Sequence, residues 1–257
     1  MDLIDQLRAG AVTFQPSENR PWVTLSYAQS LDGSLAVNRG APLALSGPES
    51  MHLTHQLRAA HDAILVGIGT VLADDPRLTV RLVEGANPQA VVLDSRLRTP
   101  PRANLFQREN TRIKGRPWIA TTETADPARE RALVKAGARL LKIPLDEEGR
   151  IDLGELLGCL AGLGISTLMV EGGARVIESF LKARLVDFLV LTIAPIMVGG
   201  LNAIKSPLSI PTNPPELQNG SSTSLAFPER AFPRLENPLY QQLGDDLVVW
   251  GRLITRK

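Results

Sequence analysis

The sequence predicts an α/β protein with a mostly parallel central sheet, helices on both faces and an antiparallel C-terminal edge. Three observations lead there. Short apolar strands alternate with helical segments through most of the 257 residues. Several strands are continuous apolar runs, as burial on both faces of a parallel sheet requires. The last two strands have no helix between them, which fits an antiparallel pair at the edge.

Residues 1–20 read as a short helix and a linker, an N-terminal extension to a single domain over 21–257. Pro21 to Gln29 is a β-branched and aromatic strand, closed by the turn Ser30-Leu31-Asp32-Gly33. Ser46-Gly47-Pro48-Glu49 has capping-box spacing with proline in the first helical turn, so a helix should run to about Ala60. Strands follow at Ala63 to Val66, Gln89 to Asp94 and Pro117 to Thr121. Asp126-Pro127 opens a helix that Gly137 stops, and Arg139 to Ile143 returns as a strand. Leu153 to Leu163 is a helix, and Ser166 to Val170 is a buried strand running into Glu171-Gly172-Gly173. The helix Ala174 to Ala183 carries Val176, Ile177, Phe180 and Leu181 on one face. Phe188 to Ala194 and Asp246 to Leu253 complete the sheet. Residues 205–238, rich in Pro, Asn and Ser, read as loop, with at most a short strand near Ser224 to Phe227.

Bulk properties exclude several function classes. With 28 basic and 27 acidic residues the net charge is +1, so there is no electrostatic footprint for nucleic acid or an anionic membrane. One cysteine, Cys159, rules out an intramolecular disulfide and fits a reducing compartment. No apolar run reaches the roughly 18 residues that span a bilayer, and Met1 to Gly10 is no signal peptide. The expected location is the cytoplasm. His52, His55 and His61 share a helical segment but lack a carboxylate that would complete a zinc triad, so no metal is expected. They read as solvated or half-buried helix positions.

Three strand ends carry the chemistry. Val66 to Arg81 runs from an apolar strand into glycines, Thr70, the acids Asp74 and Asp75, and the arginines Arg77 and Arg81. Ligands of α/β proteins sit at such strand ends, and arginines suit a phosphate, although the acids would repel one. Glu171-Gly172-Gly173-Ala174-Arg175 joins a strand to a helix, where glycines and exposed amides admit a phosphate; tight packing explains the glycines equally well. Asp94-Ser95-Arg96 offers a hydroxyl and a guanidinium suited to a ribose 2′-phosphate, or forms a plain surface turn. The chain has no G-x-G-x-x-G after its first strand, no P-loop, no G-x-S-x-G elbow and no zinc-deaminase pairing.

Ser30-Leu31-Asp32-Gly33, Leu57-Arg58-Ala59, the Asp62 to Arg81 block, Glu171-Gly172-Gly173, and Ala194-Pro195 with Gly199-Gly200 occur in the order of a known family. Over residues 21 to 253 the chain resembles the pyrimidine reductase domain of riboflavin biosynthesis, the C-terminal half of the bifunctional deaminase–reductase. The phrase Gly-x-Gly-Thr-Val-Leu-Ala-Asp-Asp-Pro-x-Leu-Thr-x-Arg, residues 67–81, is its most specific motif. The resemblance implies a dihydrofolate-reductase-like three-layer αβα fold. It implies NADPH-dependent reduction of the ribosyl group of a phosphoribosylaminopyrimidine to a ribityl chain, by a free-standing reductase without the deaminase half.

Residue by residue, the resemblance assigns Ala28, Thr70, Asp74 and Ser95 to the cofactor, and Gly69 and Arg96 beside them are further cofactor candidates. The segment Gly173 to Ser179, with Ala174, Arg175 and Val176 at its start, matches the pyrophosphate-binding helix start, and Gly172 before it is a further cofactor candidate. Arg58, Leu78, Arg81 and Glu171 match substrate contacts, with the arginines near the ribose phosphate. Asp32 and Glu171 are the candidates for proton transfer, and Asp32 reads equally well as a turn residue bonding its own backbone. The resemblance further implies a homodimer acting on a small phosphorylated pyrimidine. A serine and a tryptophan expected before the second helix are replaced by Pro42 and Ala44. That departure keeps open a same-fold reductase of another pterin-like or aminopyrimidine substrate, beside a non-catalytic nucleotide-binding partner of a deaminase. Whether reduction precedes or follows deamination is also left open.

Overall fold

A computed structural model describes residues 2–14, 19–38, 40–41, 43–107, 115–206, 208 and 232–254. Helix α1 (Leu3–Thr13) precedes β1 (Trp22–Ser30) and the short β2 (Ser34–Ala36). Helix α2 (Pro48–Ala59) leads into β3 (Ala63–Gly67), α3 (Ile68–Asp74) and β4 (Gln89–Leu93). Then come β5 (Trp118–Thr121), α4 (Pro127–Lys135), β6 (Arg139–Lys142) and α5 (Leu153–Gly162). Strand β7 (Thr167–Gly172), α6 (Ala174–Lys182), β8 (Phe188–Ala194), β9 (Leu201–Asn202), β10 (Arg234–Leu243) and β11 (Asp246–Ile254) follow.

The main sheet has nine strands in the order β10-β11-β8-β1-β7-β3-β4-β5-β6. From β8 to β6 every pairing is parallel. Strand β11 runs antiparallel to β8, and β10 antiparallel to β11. The predicted fold class is therefore the observed one. Period-two alternation builds the layers. In β3, Ala63 and Leu65 face α5 and α6, while Ile64 and Val66 face α3 and α4, and all four are inaccessible to solvent. This is why the strand reads as an uninterrupted apolar run. A third cluster joins Leu3 and Leu7 of α1 to Trp22, to Leu53 and Leu57 of α2, and to Val248 and Trp250 of β11.

The structure corrects some of the local readings. Gly47, not Ser46, is the N-cap of α2, and no side chain caps it. The Gly47 amide donates instead to Asp246 Oδ2 at 2.8 Å. Asp246 is buried at the tip of the β10–β11 hairpin, so an acceptor distant in sequence replaces the local one. Residues 234–238, expected as loop, begin β10. Its register shifts between Glu236 and Leu239, so Pro238 sits in an irregularity on an edge strand, where a missing N–H does not break a ladder. The short α3, β2 and β9 were not anticipated. The strand expected near Ser224 to Phe227 lies outside the described residues, as does Pro42.

Candidate active site

Because β1, β3, β4, β7 and β8 run parallel, their C-terminal ends share one side of the sheet. A cleft of about 1790 Å³ opens there. That exceeds the usual 300–1,000 Å³ of a site for one small ligand, so two ligands fit side by side. Ala28, Arg58, Gly69, Thr70, Asp74, Ser95, Arg96, Glu171, Gly173, Ala174, Arg175 and Val176 all line it. Ala44 does too, in the segment before α2. Asp32, Leu78, Arg81 and Gly172 lie outside the lining.

One end of the cleft is built by close packing of α3 and α6. A Cβ on Gly67 would come within 2.7 Å of Val176 Cγ2, and one on Gly173 within 3.1 Å of Thr70 Oγ1. Gly172 and Gly173 have φ of 96° and 82°, a region costly for any other residue. Thr70 Oγ1 donates to the Gly172 carbonyl at 3.3 Å. The glycines thus serve packing and leave the first amides of α6 bordering the cleft. The Val176 amide donates to the Gly173 carbonyl at 2.8 Å, which leaves the Ala174 and Arg175 amides without an intrahelical acceptor, and the helix dipole adds positive potential there. This cradle fits the pyrophosphate of a dinucleotide.

The acid pair divides. Asp74 lines the cleft, and burial raises its carboxyl above the usual range. Asp75 takes a left-handed conformation, φ 40°, that ends α3. Its Oδ1 accepts from the Asn104 amide at 2.8 Å and its carbonyl accepts from Asn104 Nδ2 at 3.0 Å. One acid faces the cleft and the other ties down a loop.

Glu171, at the end of β7 and two residues before Gly173, meets Arg58 of α2. Arg58 Nε donates to Oε1 at 2.6 Å and Nη2 to Oε2 at 2.7 Å. Arg58 Nη1 donates to the Thr79 carbonyl at 3.1 Å. Burial alone would lower the Arg58 pKa, but the Glu171 charge and hydrogen bonds outweigh it and raise the value. The guanidinium expected at a phosphate is therefore spent on orienting a carboxylate. Arg81 keeps its side chain near the same place, donating to Thr79 Oγ1 at 2.9 Å. Burial lowers its pKa, the Arg58 and Arg77 charges push the same way, and Glu171 opposes them. Such crowded cations are stabilised by an incoming anion.

Asp32 is corrected. Its carboxylate accepts from Ser30 Oγ (2.6 Å), Ser34 Oγ (2.7 Å), and the Val198 and Gly199 amides (2.9 and 2.8 Å). The two serine hydroxyls, then the Val198 amide, hold its pKa far below the usual carboxylate range. These four bonds all favour the ionised form, and they pin the β1 turn to the Val198-Gly199 loop.

The histidines also differ from their reading. His52 is exposed, but His55 and His61 are only 1% and 6% exposed. Further lining residues went unread: Met51 and Thr54 share the cleft face of α2 with Arg58, and Arg98 joins Ser95 and Arg96 beyond β4. The helical spacing 51-54-58 was a signal available for the first set.

This architecture can be compared with known proteins. The family model described as the RibD C-terminal domain matches residues 21–226. A 2,5-diamino-6-ribosylamino-4(3H)-pyrimidinone 5′-phosphate reductase of Methanothermobacter thermautotrophicus is 44% identical over 188 residues, 72% of this chain and 82% of its own. One of the same name from Aquifex aeolicus is 34% identical and covers 92% of this chain and 95% of its own. The solved riboflavin biosynthesis reductase Rib7 of Saccharomyces cerevisiae superposes with TM-score 0.70 at 26% identity, over 98% of both chains. The glycine cradle, the Arg58–Glu171 pair and the arginine loop thus stand in a matching sequence and a matching fold, and the chain belongs to the RibD C-terminal domain family.

Proposed function

We propose that this protein reduces the ribosyl group of 2,5-diamino-6-ribosylamino-4(3H)-pyrimidinone 5′-phosphate to the ribityl form, using NADPH. The single observation that carries this is the size and polarity of the cleft. A helix N-terminus and a glycine cradle border it, the Arg58–Glu171 pair lines it beside them, and Arg81 stands close to that pair. The undeaminated substrate is preferred because relatives matched over most of their own length carry that name. An αβα fold with this cradle fits a nicotinamide dinucleotide.

When bound, NADPH supplies a hydride for C1′ of the ring-opened imine, and a proton completes the adjacent nitrogen. The chain's residues position the reactants. The α6 amides and Gly173 bind pyrophosphate, while Thr70 and Asp74 hold the nicotinamide end. Ser95 and Arg96 bind the 2′-phosphate, and Arg98 adds a second guanidinium. Glu171, steadied by Arg58, accepts hydrogen bonds from the amino or ring N–H groups of the pyrimidine. Arg81 and Arg77 take the ribose phosphate, and Leu78, buried between them, shapes that loop. With Asp32 held ionised and Glu171 acting as acceptor, the proton comes from solvent. Holding the two carbons near contact supplies on the order of 7 kcal/mol. The homodimer expected from the family belongs to this proposal, and sedimentation of the pure protein tests it.

The experiment mixes the protein with NADPH and either the diaminopyrimidinone or its deaminated counterpart, and follows loss of the reduced cofactor. Faster oxidation with the diaminopyrimidinone is expected. Turnover of the deaminated compound alone would reverse the order, and oxidation of NADPH with neither would reject the reading.

A further inference from the structure

The segment Asp75–Arg81 has a fold of its own that the proposed chemistry does not explain. Leu78 sits at φ 53° with its side chain buried. A bulky residue held in the left-handed region stays there only when its surroundings enforce it. Hydrogen bonds from outside the segment hold four of its residues. Asp75 is bound by Asn104, and the Thr79 carbonyl by Arg58. The Val80 amide donates to Asn87 Oδ1 at 2.6 Å, and the Arg81 amide donates to His55 Nδ1 at 2.8 Å.

The last contact fixes the histidine tautomer. Because Nδ1 accepts, the neutral ring carries its proton on Nε2. Burial, and then the neighbouring Arg58, Arg81 and His52 charges, keep this imidazole neutral by lowering its pKa to about 4. His55 lies one turn before Arg58 on α2, so a single helix face grips the loop at two adjacent points.

We propose that His55 is a positioning residue for the substrate phosphate: its Nδ1 anchors the Arg81 backbone and thereby aims the Arg81 side chain. This rests on the assignment of Arg81 to the ribose phosphate. His55 touches neither substrate nor cofactor in this arrangement. Without the anchor, the Arg81 amide loses its buried acceptor and Leu78 relaxes toward ordinary backbone geometry. The guanidinium then samples positions away from the anion, and binding weakens while the hydride-transfer geometry, set elsewhere, persists.

The test is steady-state kinetics on His55→Ala, His55→Asn, Arg81→Ala and the double variant His55→Ala/Arg81→Ala. His55→Ala should raise KM for the phosphorylated substrate roughly five- to tenfold, the fold-change of one lost hydrogen bond. Its KM for NADPH and its kcat should change less than about twofold, within the scatter of independent sites. Asparagine carries an acceptor where Nδ1 sits, so His55→Asn should recover most of the loss. In the Arg81→Ala background, His55→Ala should add almost nothing, because both act through one guanidinium. Hydrogen exchange of the Arg81 amide, slow in the unmodified protein and fast in His55→Ala, reads the anchor without any activity. An unprotected Arg81 amide in the unmodified protein, additive single effects, or no rescue by asparagine would overturn the proposal. A raised KM in Arg81→Ala with none in His55→Ala would remove the anchor alone. An unchanged KM in Arg81→Ala would remove the phosphate assignment and this inference with it.

Discussion

Arg58 and Glu171 come from positions 113 residues apart and bind each other through two parallel hydrogen bonds. Their side chains are 10% and 14% exposed. Truncating one partner of a buried pair leaves the other charge uncompensated, at about 3–5 kcal/mol. Glu171→Ala should therefore lose roughly 3 kcal/mol in urea unfolding as well as most activity. A loss near zero would mean that the pair is solvated in practice. Arg58→Lys should not restore function, because an ammonium cannot present the planar fork. At Gly67 the constraint is steric. Gly67→Ala places a methyl 2.7 Å from Val176 Cγ2, so about 1–3 kcal/mol of overpacking is expected, with weaker NADPH binding measured by fluorescence titration. In the sequence Glu171 stood out as a carboxylate at the end of a buried strand. Its partner did not, since nothing local in Leu57-Arg58-Ala59 says which way the guanidinium turns.

Helix α2 shows how an element acquires its role. Its C-terminal turn docks through His61, where Nδ1 donates to the Leu57 carbonyl at 2.6 Å and Nε2 accepts from Thr24 Oγ1 at 2.8 Å. Burial lowers the His61 pKa to about 4 from its ordinary 6.5. The unfolded chain therefore binds the proton more readily between those values. Stability is complete above about pH 6.5 and is lost as pH falls toward 4, by roughly 3 kcal/mol for a shift of this size. His55 adds to the loss in the same direction. Urea unfolding at pH 7 and pH 4.5 checks this, and His61→Gln should flatten the slope; an unchanged slope would assign the acid sensitivity elsewhere. At its other end α2 takes its cap from Asp246, so Asp246→Ala should cost about 1–3 kcal/mol by leaving the Gly47 amide unpaired. The helix was legible from proline at its first turn. Its cap was misread because Ser46-x-x-Glu49 is a local pattern, whereas the acceptor used arrives from the C-terminal hairpin.

Taken whole, the cleft is assembled from strand ends drawn from most of the chain, so a ligand spanning it ties together elements that otherwise meet only through the sheet. A saturating cofactor at about 100 times its Kd should stabilise the protein by about 2.7 kcal/mol, or several degrees in Tm for a chain of this size. Arg81→Ala should keep that shift, since Arg81 is proposed to hold the substrate phosphate and not the cofactor, and Gly173→Val should abolish it. A shift given equally by NADH would count against Ser95, Arg96 and Arg98 as the 2′-phosphate clamp. The sequence by itself determined the strand–helix alternation, the parallel core and the strand ends that carry chemistry. Burial on both faces of a sheet writes continuous apolar runs, and cradles demand glycine at set places, so these features are local and survive in one dimension. Only the tertiary structure decided which polar groups meet. Asp32 became a turn anchor, Arg58 turned to Glu171, Asp75 parted from Asp74, and His55 was buried against Arg81. Each outcome depends on a partner brought from elsewhere in the chain, because a buried polar group takes the direction of whichever donor or acceptor packing delivers to it.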